Sequence, residues 1–286
     1  MVYDYYLSKN INKRIEDLKL EIGKEKDSMK NKLIRENKNE VNNFYPVQND
    51  LANLPNYSAL IKIPFILKKP YTSKDDGEFH ILDKKIFENP IVRDKFTGLP
   101  IVRPSTWKGH LRFAAERVDW DEKKKKKIIR RLFGSEKDEE KNKEIMQKGR
   151  LNFFTTFFKV DPEKDVITPL KRDTRTPARG PIPLEVMKPE NKGDFYILYM
   201  PYPKGKDFDK EQVNNDLKFL ADALQLMFYV YGFSAKKSSG FGVIQEEANE
   251  SEINVKLDLV KKCNFNTLND LKSKIDELFE EKGEKE

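Results

Sequence analysis

Apolar positions early in the chain fall at Ile11, Ile15, Leu18, Ile22, Met29 and Leu33, separated mostly by charged residues. Spacings of three, four and seven predict one helix face across 9–43, interrupted near Gly23. FYPVQNDLANLPNY (44–57), with two prolines and several asparagines, reads as a linker. SALIKIPFIL (58–67) alternates as a strand and stops before Pro70. Residues 68–103 keep no regular period and form a long insert with a turn at DDG (75–77). A helix is predicted from Ser105 to about Val118, and a second over DEKKKKKIIRRLFGS (121–135), stopping at Gly134.

RLNFFTTFFKV (150–160) reads as one strand, followed by a second irregular insert, 161–185. GDFYILYMP (193–201) is the next strand, and 210–232 carries the clearest apolar helical stripe. SSGFGVIQEE (238–247) reads as a glycine loop running into a strand, and 267–282 as a tail helix. The order strand, helix, strand, strand, helix, strand predicts an α+β, ferredoxin-like βαββαβ core. The expected organisation is a helical N-terminal extension and linker (1–57), a core (58–250) holding both inserts, and a helical C-terminal tail (251–286).

Charge sharpens this outline. Among 286 residues, 55 Lys and Arg face 48 Asp and Glu, a net +7. Residues 264–286 hold four lysines against seven acidic residues, so the remainder carries +10. That asymmetry points to a polyanionic partner. One cysteine, Cys263, excludes an internal disulfide or a cysteine-based zinc site, and His80 and His110 alone make a histidine site improbable. No apolar run approaches the ~18 residues of a membrane span, and the N-terminus lacks a signal-peptide core, so a cytoplasmic protein is expected.

Chemistry concentrates in three stretches. In GLPIVRPSTWKGHLRFAAERV (98–118), Ser105 is placed to cap a helix by accepting an N–H from Trp107 or Lys108. Lys108 and Arg112 are i,i+4 neighbours near its positive end, a pattern suited to phosphate. Gly109 weakens the helix by roughly 1 kcal/mol against Ala, which makes sense where another backbone approaches. In AKKSSGFGVI (235–244), Lys236, Lys237, Ser238, Gly240 and Gly242 can form an anion nest, though a hairpin corner has the same composition. LKRDTRTPARG (170–180) offers Lys171, Arg172, Arg175 and Arg179 on a loop suited to phosphate forks. The run 123–131 has seven cations in nine residues, a solvated face or part of a polyanion track. Phe153, Phe154, Phe157 and Phe158 read as core rather than a base-stacking platform.

Four stretches in order, NPIVRDKFTGLPIVRPSTWKGHLR (89–112), RDTRTPARG (172–180), PLEVMKPENKGDFYILY (183–199) and KKSSGFGV (236–243), resemble the RAMP superfamily of CRISPR proteins. The likeness is strongest to backbone subunits of type III effector complexes and covers about 58–247. Pro90, Arg93, Asp94, Thr97, Gly98, Pro100, Ser105, Lys108, Gly109 and Arg112 match that family's first motif in order. The resemblance implies a ferredoxin-like core that binds guide RNA along its sheet and glycine-rich loop, with the first insert as a thumb. It also implies, as partners, guide RNA, complementary target RNA and other RAMP subunits, with no membrane.

It further implies RNA contacts from Arg93, Arg103, Ser105, Lys108 and Arg112 and from the two cationic loops. Members that cut target RNA carry an aspartate where this chain has Glu88, and Asp75 and Asp76 are possible substitutes or metal ligands. Cleavage would then run by 2′-OH attack on the adjacent phosphate, aided by Mg²⁺, while binding needs no cofactor. The family's Ile-Pro-Gly-Ser-Ser is Val-Arg-Pro-Ser-Thr here, so Arg103 adds a cation and a glycine is lost. A guide-RNA-processing endoribonuclease, or a non-catalytic capping or scaffold subunit, are the alternative readings.

Overall fold

The computed structural model describes residues 40–74, 80–82, 85–87, 89–95, 97–135, 146–178, 180–204 and 208–280. Two 3₁₀ turns, Glu40–Phe44 and Gln48–Asn53, precede β1 (Ala59–Ile66). The first insert holds a small hairpin, β2 (His80–Leu82) and β3 (Lys85–Phe87), and ends at β4 (Ile101–Val102). Helices α1 (Pro104–Ala115) and α2 (Glu122–Phe133) follow, then β5 (Leu151–Phe153) and β6 (Thr156–Phe157). The second insert is a ribbon of β7 (Glu163–Ile167) and β8 (Ile182–Val186), leading to β9 (Lys192–Tyr199). Helix α3 (Lys210–Gln225), β10 (Ser251–Lys256), β11 (Val260–Phe265) and α4 (Leu271–Phe279) complete the order.

The main sheet is antiparallel, in the order β11-β10-β1-β9-β5. In β1, Ala59, Ile61, Ile63 and Phe65 alternate onto one face and are buried. There they join Phe195 and Ile197 of β9, Trp107 and Leu111 of α1, and Leu217, Leu220 and Leu224 of α3. Trp107 lies 4.8 Å from Phe195 and 4.4 Å from Phe233, and its indole N–H donates to Thr156 Oγ1 at 3.2 Å. The opposite face is also partly covered: Tyr45 stacks on Tyr196 at 4.3 Å. Val41, Leu99, Ile101 and Phe157 complete this second apolar cluster.

Several sequence expectations are corrected. The 44–57 stretch is not a free linker, because Tyr45 and Leu51 are buried and Lys256 Nζ donates to the Leu54 carbonyl at 2.5 Å. The 150–160 strand breaks at Phe154–Thr155: β5 joins the main sheet and β6 pairs with β4. Phe157 and Phe158 are buried, whereas Phe153 and Phe154 are half-buried at that bend. After the glycine loop only the bridge Leu67–Ile244 forms; the strand beside β1 is β10, from the segment expected to be helical tail. That segment turns helical only at α4, whose Leu271, Ile275, Leu278 and Phe279 are buried in this chain's own core. The helix beginning at Lys210 ends in a π turn, Leu226–Tyr231, because Gly232 N bonds to Met227 O, five residues back. The helix expected over 9–43 lies outside the described residues except for its last positions.

A buried ionic knot fixes the helices on the sheet. Asp216, on α3, is fully buried. Arg150 Nη1 donates to its Oδ2 at 3.0 Å, and Arg131 of α2 donates to its Oδ1 at 2.5 Å. The Tyr199 hydroxyl of β9 donates to the same carboxylate at 3.1 Å, and Arg150 also reaches Gln212 at 2.8 Å. Replacing Asp216 by Ala leaves two guanidinium groups without their carboxylate, one of them buried. We predict a stability loss of about 3–5 kcal/mol in urea unfolding; a loss below 1 kcal/mol would show that the knot contributes little.

Candidate nucleic-acid interface

Helix α1 begins without a side-chain cap. Its N-cap is Arg103, in extended conformation (φ −67°, ψ 149°), with Pro104 at the first helical position. This corrects the expectation for Ser105, which stands inside the first turn: Pro104 has the fixed φ suited to N1, so the helix starts one residue earlier. The first turn's N–H groups are therefore left to solvent or a ligand. Arg103, Ser105, Lys108 and Gly109 are all exposed there. Among the described residues, nothing beyond Gly109's own neighbours and helix backbone lies within 4 Å of where its Cβ would stand, so the space that the missing side chain leaves is open to an incoming group.

Two edges of α1 carry cations. On one, Lys108 is followed at i,i+4 by Arg112, which pairs with Glu116 at 3.3 Å. The other edge meets the glycine loop and was missed by the sequence reading: it consists of His110, Phe113 and Arg117. Lys237 Nζ and the Arg117 guanidinium each lie 3.6 Å from the Phe113 ring centroid. Burial, and then the nearby Lys237, push the His110 imidazole down to about 4. Burial and the Arg117 charge likewise lower Lys237. Lys237 and Arg117, held on one ring with no carboxylate between them among the described residues, make a place where an added anion is favoured. The i,i+3,i+7 spacing of 110, 113 and 117 was available in the sequence, but nothing there showed that it faces residue 237.

The glycine loop is held by its own chain. Gly242 has φ 79°, and a Cβ there would sit 2.6 Å from Ser234 N; at Gly232 it would sit 2.3 Å from Phe241 O. Gly242 therefore serves internal packing, whereas Gly240, at φ 77°, faces open space. Lys236 and Ser238 are exposed beside it. The anchor is Thr72, at the root of the first insert. Its N–H donates to Ser234 Oγ at 2.9 Å, and its carbonyl accepts from Ser234 Oγ and from Ala235 N.

Both inserts meet at the same point. Thr72 Oγ1 donates to the Glu185 carbonyl at 2.8 Å, and Ile91 N donates to Glu185 Oε2 at 2.9 Å. Arg93, expected to reach RNA, instead pairs with the buried Glu185 at 3.4 Å, donates to Gly98 O at 3.3 Å and is largely buried. From this root the second insert projects as a ribbon. Its tip is closed by Lys171 N to Thr176 O at 2.9 Å and Ala178 N to Pro169 O at 2.8 Å. Lys171, Arg172 and Arg175 are exposed there. The structure thus joins the glycine loop to the roots of both inserts, and packs α1 against the loop through Trp107 on Phe233 and Phe113 on Lys237. Glu88, Asp75, Asp76 and Arg179 lie outside the described residues. Among the described residues no group of carboxylates, histidines and cysteines is arranged to hold a metal, and no helix is long and apolar enough to cross a membrane.

Residues 76–245 match the RAMP superfamily, and the chain belongs to it. Over 175 residues it is 28% identical to the CRISPR system Cms endoribonuclease Csm3 of Streptococcus thermophilus, covering 56% of this chain and 74% of that protein. It is similar in fold to a chain of the cryo-EM structure of the Type III-B Cmr-beta bound to cognate target RNA. That match has a TM-score of 0.50 at 17% identity and covers 88% of this chain and 81% of the other. A chain from the crystal structure of the Csm3-Csm4 subcomplex in the type III-A CRISPR-Cas interference complex gives a TM-score of 0.49 at 16% identity, over 78% and 96%.

The packing of Lys237 against α1 predicts a shift in His110. In Lys237→Ala, NMR titration should show the imidazole titrating above about 4 yet still below its ordinary value, because burial, the larger cause, remains. An unchanged titration would separate the two residues.

Proposed function

We propose that this chain is a guide-RNA-binding backbone subunit of a type III CRISPR effector complex. The observation that carries this reading is the convergence at Thr72. It joins the glycine loop to the roots of both inserts, beside α1, whose Trp107 packs 4.4 Å from Phe233 just before that loop, in the motifs that resemble RAMP backbone subunits. Lys108, Lys236 and the ribbon cations Lys171, Arg172 and Arg175 have no carboxylate partner among the described residues. They supply phosphate contacts, with Lys237 and Arg117 adding charge beside neutral His110. The order β10-β1-β9-β5, with α1 and α3 as crossovers, supports a ferredoxin-like core, which β11 extends at one edge. Because 40–45 covers part of the sheet's second face, RNA follows the helix start and loops rather than that face. Other RAMP subunits and complementary target RNA complete the assembly.

The test is single-stranded RNA binding under salt titration. Each phosphate contact contributes about 0.7 to the slope of log affinity against log salt. Lys108→Ala with Arg112→Ala should lower that slope by about 1.4. Gly109→Ala should raise protein stability by up to about 1 kcal/mol while weakening RNA binding, since the added methyl enters open space that the RNA needs. Binding unchanged in both would remove α1 from the interface. Wild-type protein with no salt-dependent RNA affinity would favour a protein scaffold with merely solvated cations.

Cleavage is a separate question. Glu88 is one methylene longer than the aspartate of cutting relatives, and a displacement near 1 Å can lower a rate about 10²-fold. We expect the assembled complex, given Mg²⁺ and complementary RNA, to show no regular cuts by this subunit. Regular cuts that disappear in Glu88→Gln, but persist in Asp75→Asn/Asp76→Asn, would overturn this and assign Glu88 as the base or metal ligand.

A further inference from the structure

The lysine-rich helix α2 sorts its cations into two sets. Lys125 turns inward, its ammonium 2.6 Å from Glu122 Oε1 and 3.3 Å from the Val118 carbonyl. Arg131 is committed to Asp216. Ile128, Ile129 and Leu132 are buried, which anchors one side of the helix. Lys123, Lys124, Lys126 and Lys127 are exposed and have no carboxylate partner among the described residues. Between α1 and α2 runs a groove of about 470 Å³, lined on one side by Arg112 and Glu116 and on the other by Lys126, Lys127 and Arg130. Its two glutamates already have cations, Glu116 on Arg112 and Glu122 on Lys125, so Lys126 and Lys127 leave it with surplus positive charge.

We propose that this groove is a second phosphate track, which takes the backbone of single-stranded RNA beyond the site at the start of α1. The inference rests on the RNA-binding reading above and extends it onto α2, whose residues lie outside the family motifs. Arg112 stands both on the Lys108 edge of α1 and in the groove wall, so the groove continues the cationic edge that starts at Lys108, while the glycine loop meets the opposite edge of the helix. Lys123 and Lys127 stand about one helical turn apart, roughly 6 Å along the axis, and Lys126 beside them carries the exposed charge into the groove. A protein partner or a membrane surface needs apolar anchors. The large exposed apolar side chains among the described residues, such as Phe44, Val160, Leu170, Val230 and Leu259, all lie off α1 and α2. What the groove offers is charge, and that fits phosphate.

The experiment compares two double variants of the full chain: Lys126→Ala/Lys127→Ala in the groove, and Lys123→Ala/Lys124→Ala on the same helix outside it. RNA long enough to pass both sites is titrated against salt by fluorescence anisotropy, with thermal melting to confirm unchanged folding. The groove pair should lower the slope by about 1.4, so that a fourfold rise in salt weakens its binding roughly sevenfold less than wild type. The outer pair should change the slope by less than half of that. RNA binding that responds to Lys236→Ala/Lys237→Ala but not to the groove pair would overturn the track and leave the proposed function standing. Equal effects of the two lysine pairs would reduce α2 to a diffuse charged face. An intact slope combined with lost assembly of partner subunits would assign the groove to protein. Absence of wild-type RNA binding at any salt would remove both readings together.

Discussion

The carboxylate of Asp216 is the constraint on which the helical layer depends. An isolated carboxylate in a fully buried position is strongly unfavourable, and here it is tolerated because two arginines and a tyrosine hydroxyl surround it. Those groups come from α2, the residue just before β5, and β9, while Asp216 itself is on α3. One charge therefore fixes the position of α2 relative to the sheet. Because Arg131 must point inward to reach it, and Ile128 and Leu132 are buried on the helix's inner side, the lysines at 123, 124, 126 and 127 are left facing solvent.

A second constraint builds the surface. Thr72 uses its N–H, carbonyl and hydroxyl at once, joining Ser234 and Ala235 on one side and Glu185 on the other. The glycine loop can lie this close only because Gly232 and Gly242 lack side chains where backbone approaches within 3 Å. With the loop held there, Lys237 packs on Phe113 beside Arg117 and His110. This surface differs from the core around Asp216: Arg117 leans on Glu116 and the Phe113 carbonyl, while Lys237 rests on the Phe113 ring rather than on a carboxylate.

That contrast separates structural cations from available ones. Arg93, Lys125, Arg131 and Arg150 are all held by carboxylates, and the first three belong to stretches that read as functional in one dimension. Among the described residues, Lys108, Lys236 and the outer lysines of α2 are exposed without such partners. Composition counts both kinds alike, because a side chain's partner is set by what the fold brings within about 4 Å.

The sequence by itself determined the local elements whose pattern is set by neighbours: the alternating strand at 59–66, helix α2 between Asp121 and Gly134, and the apolar stripe of α3. It also showed the ordered motifs of the RAMP superfamily and the excess of positive charge. Where the energetics were non-local it was silent or misleading. The split of 150–160 into β5 and β6, the pairing of β10 rather than 243–247 beside β1, and the burial of Tyr45 against Tyr196 follow from contacts between residues far apart in the chain. The start of α1 shifted by one residue because the proline's fixed φ outweighed a serine's capping preference. Which cations are free, and that residues 110, 113 and 117 face residue 237, only the tertiary structure decided, since charge in a sequence has no partner until the chain has folded around it.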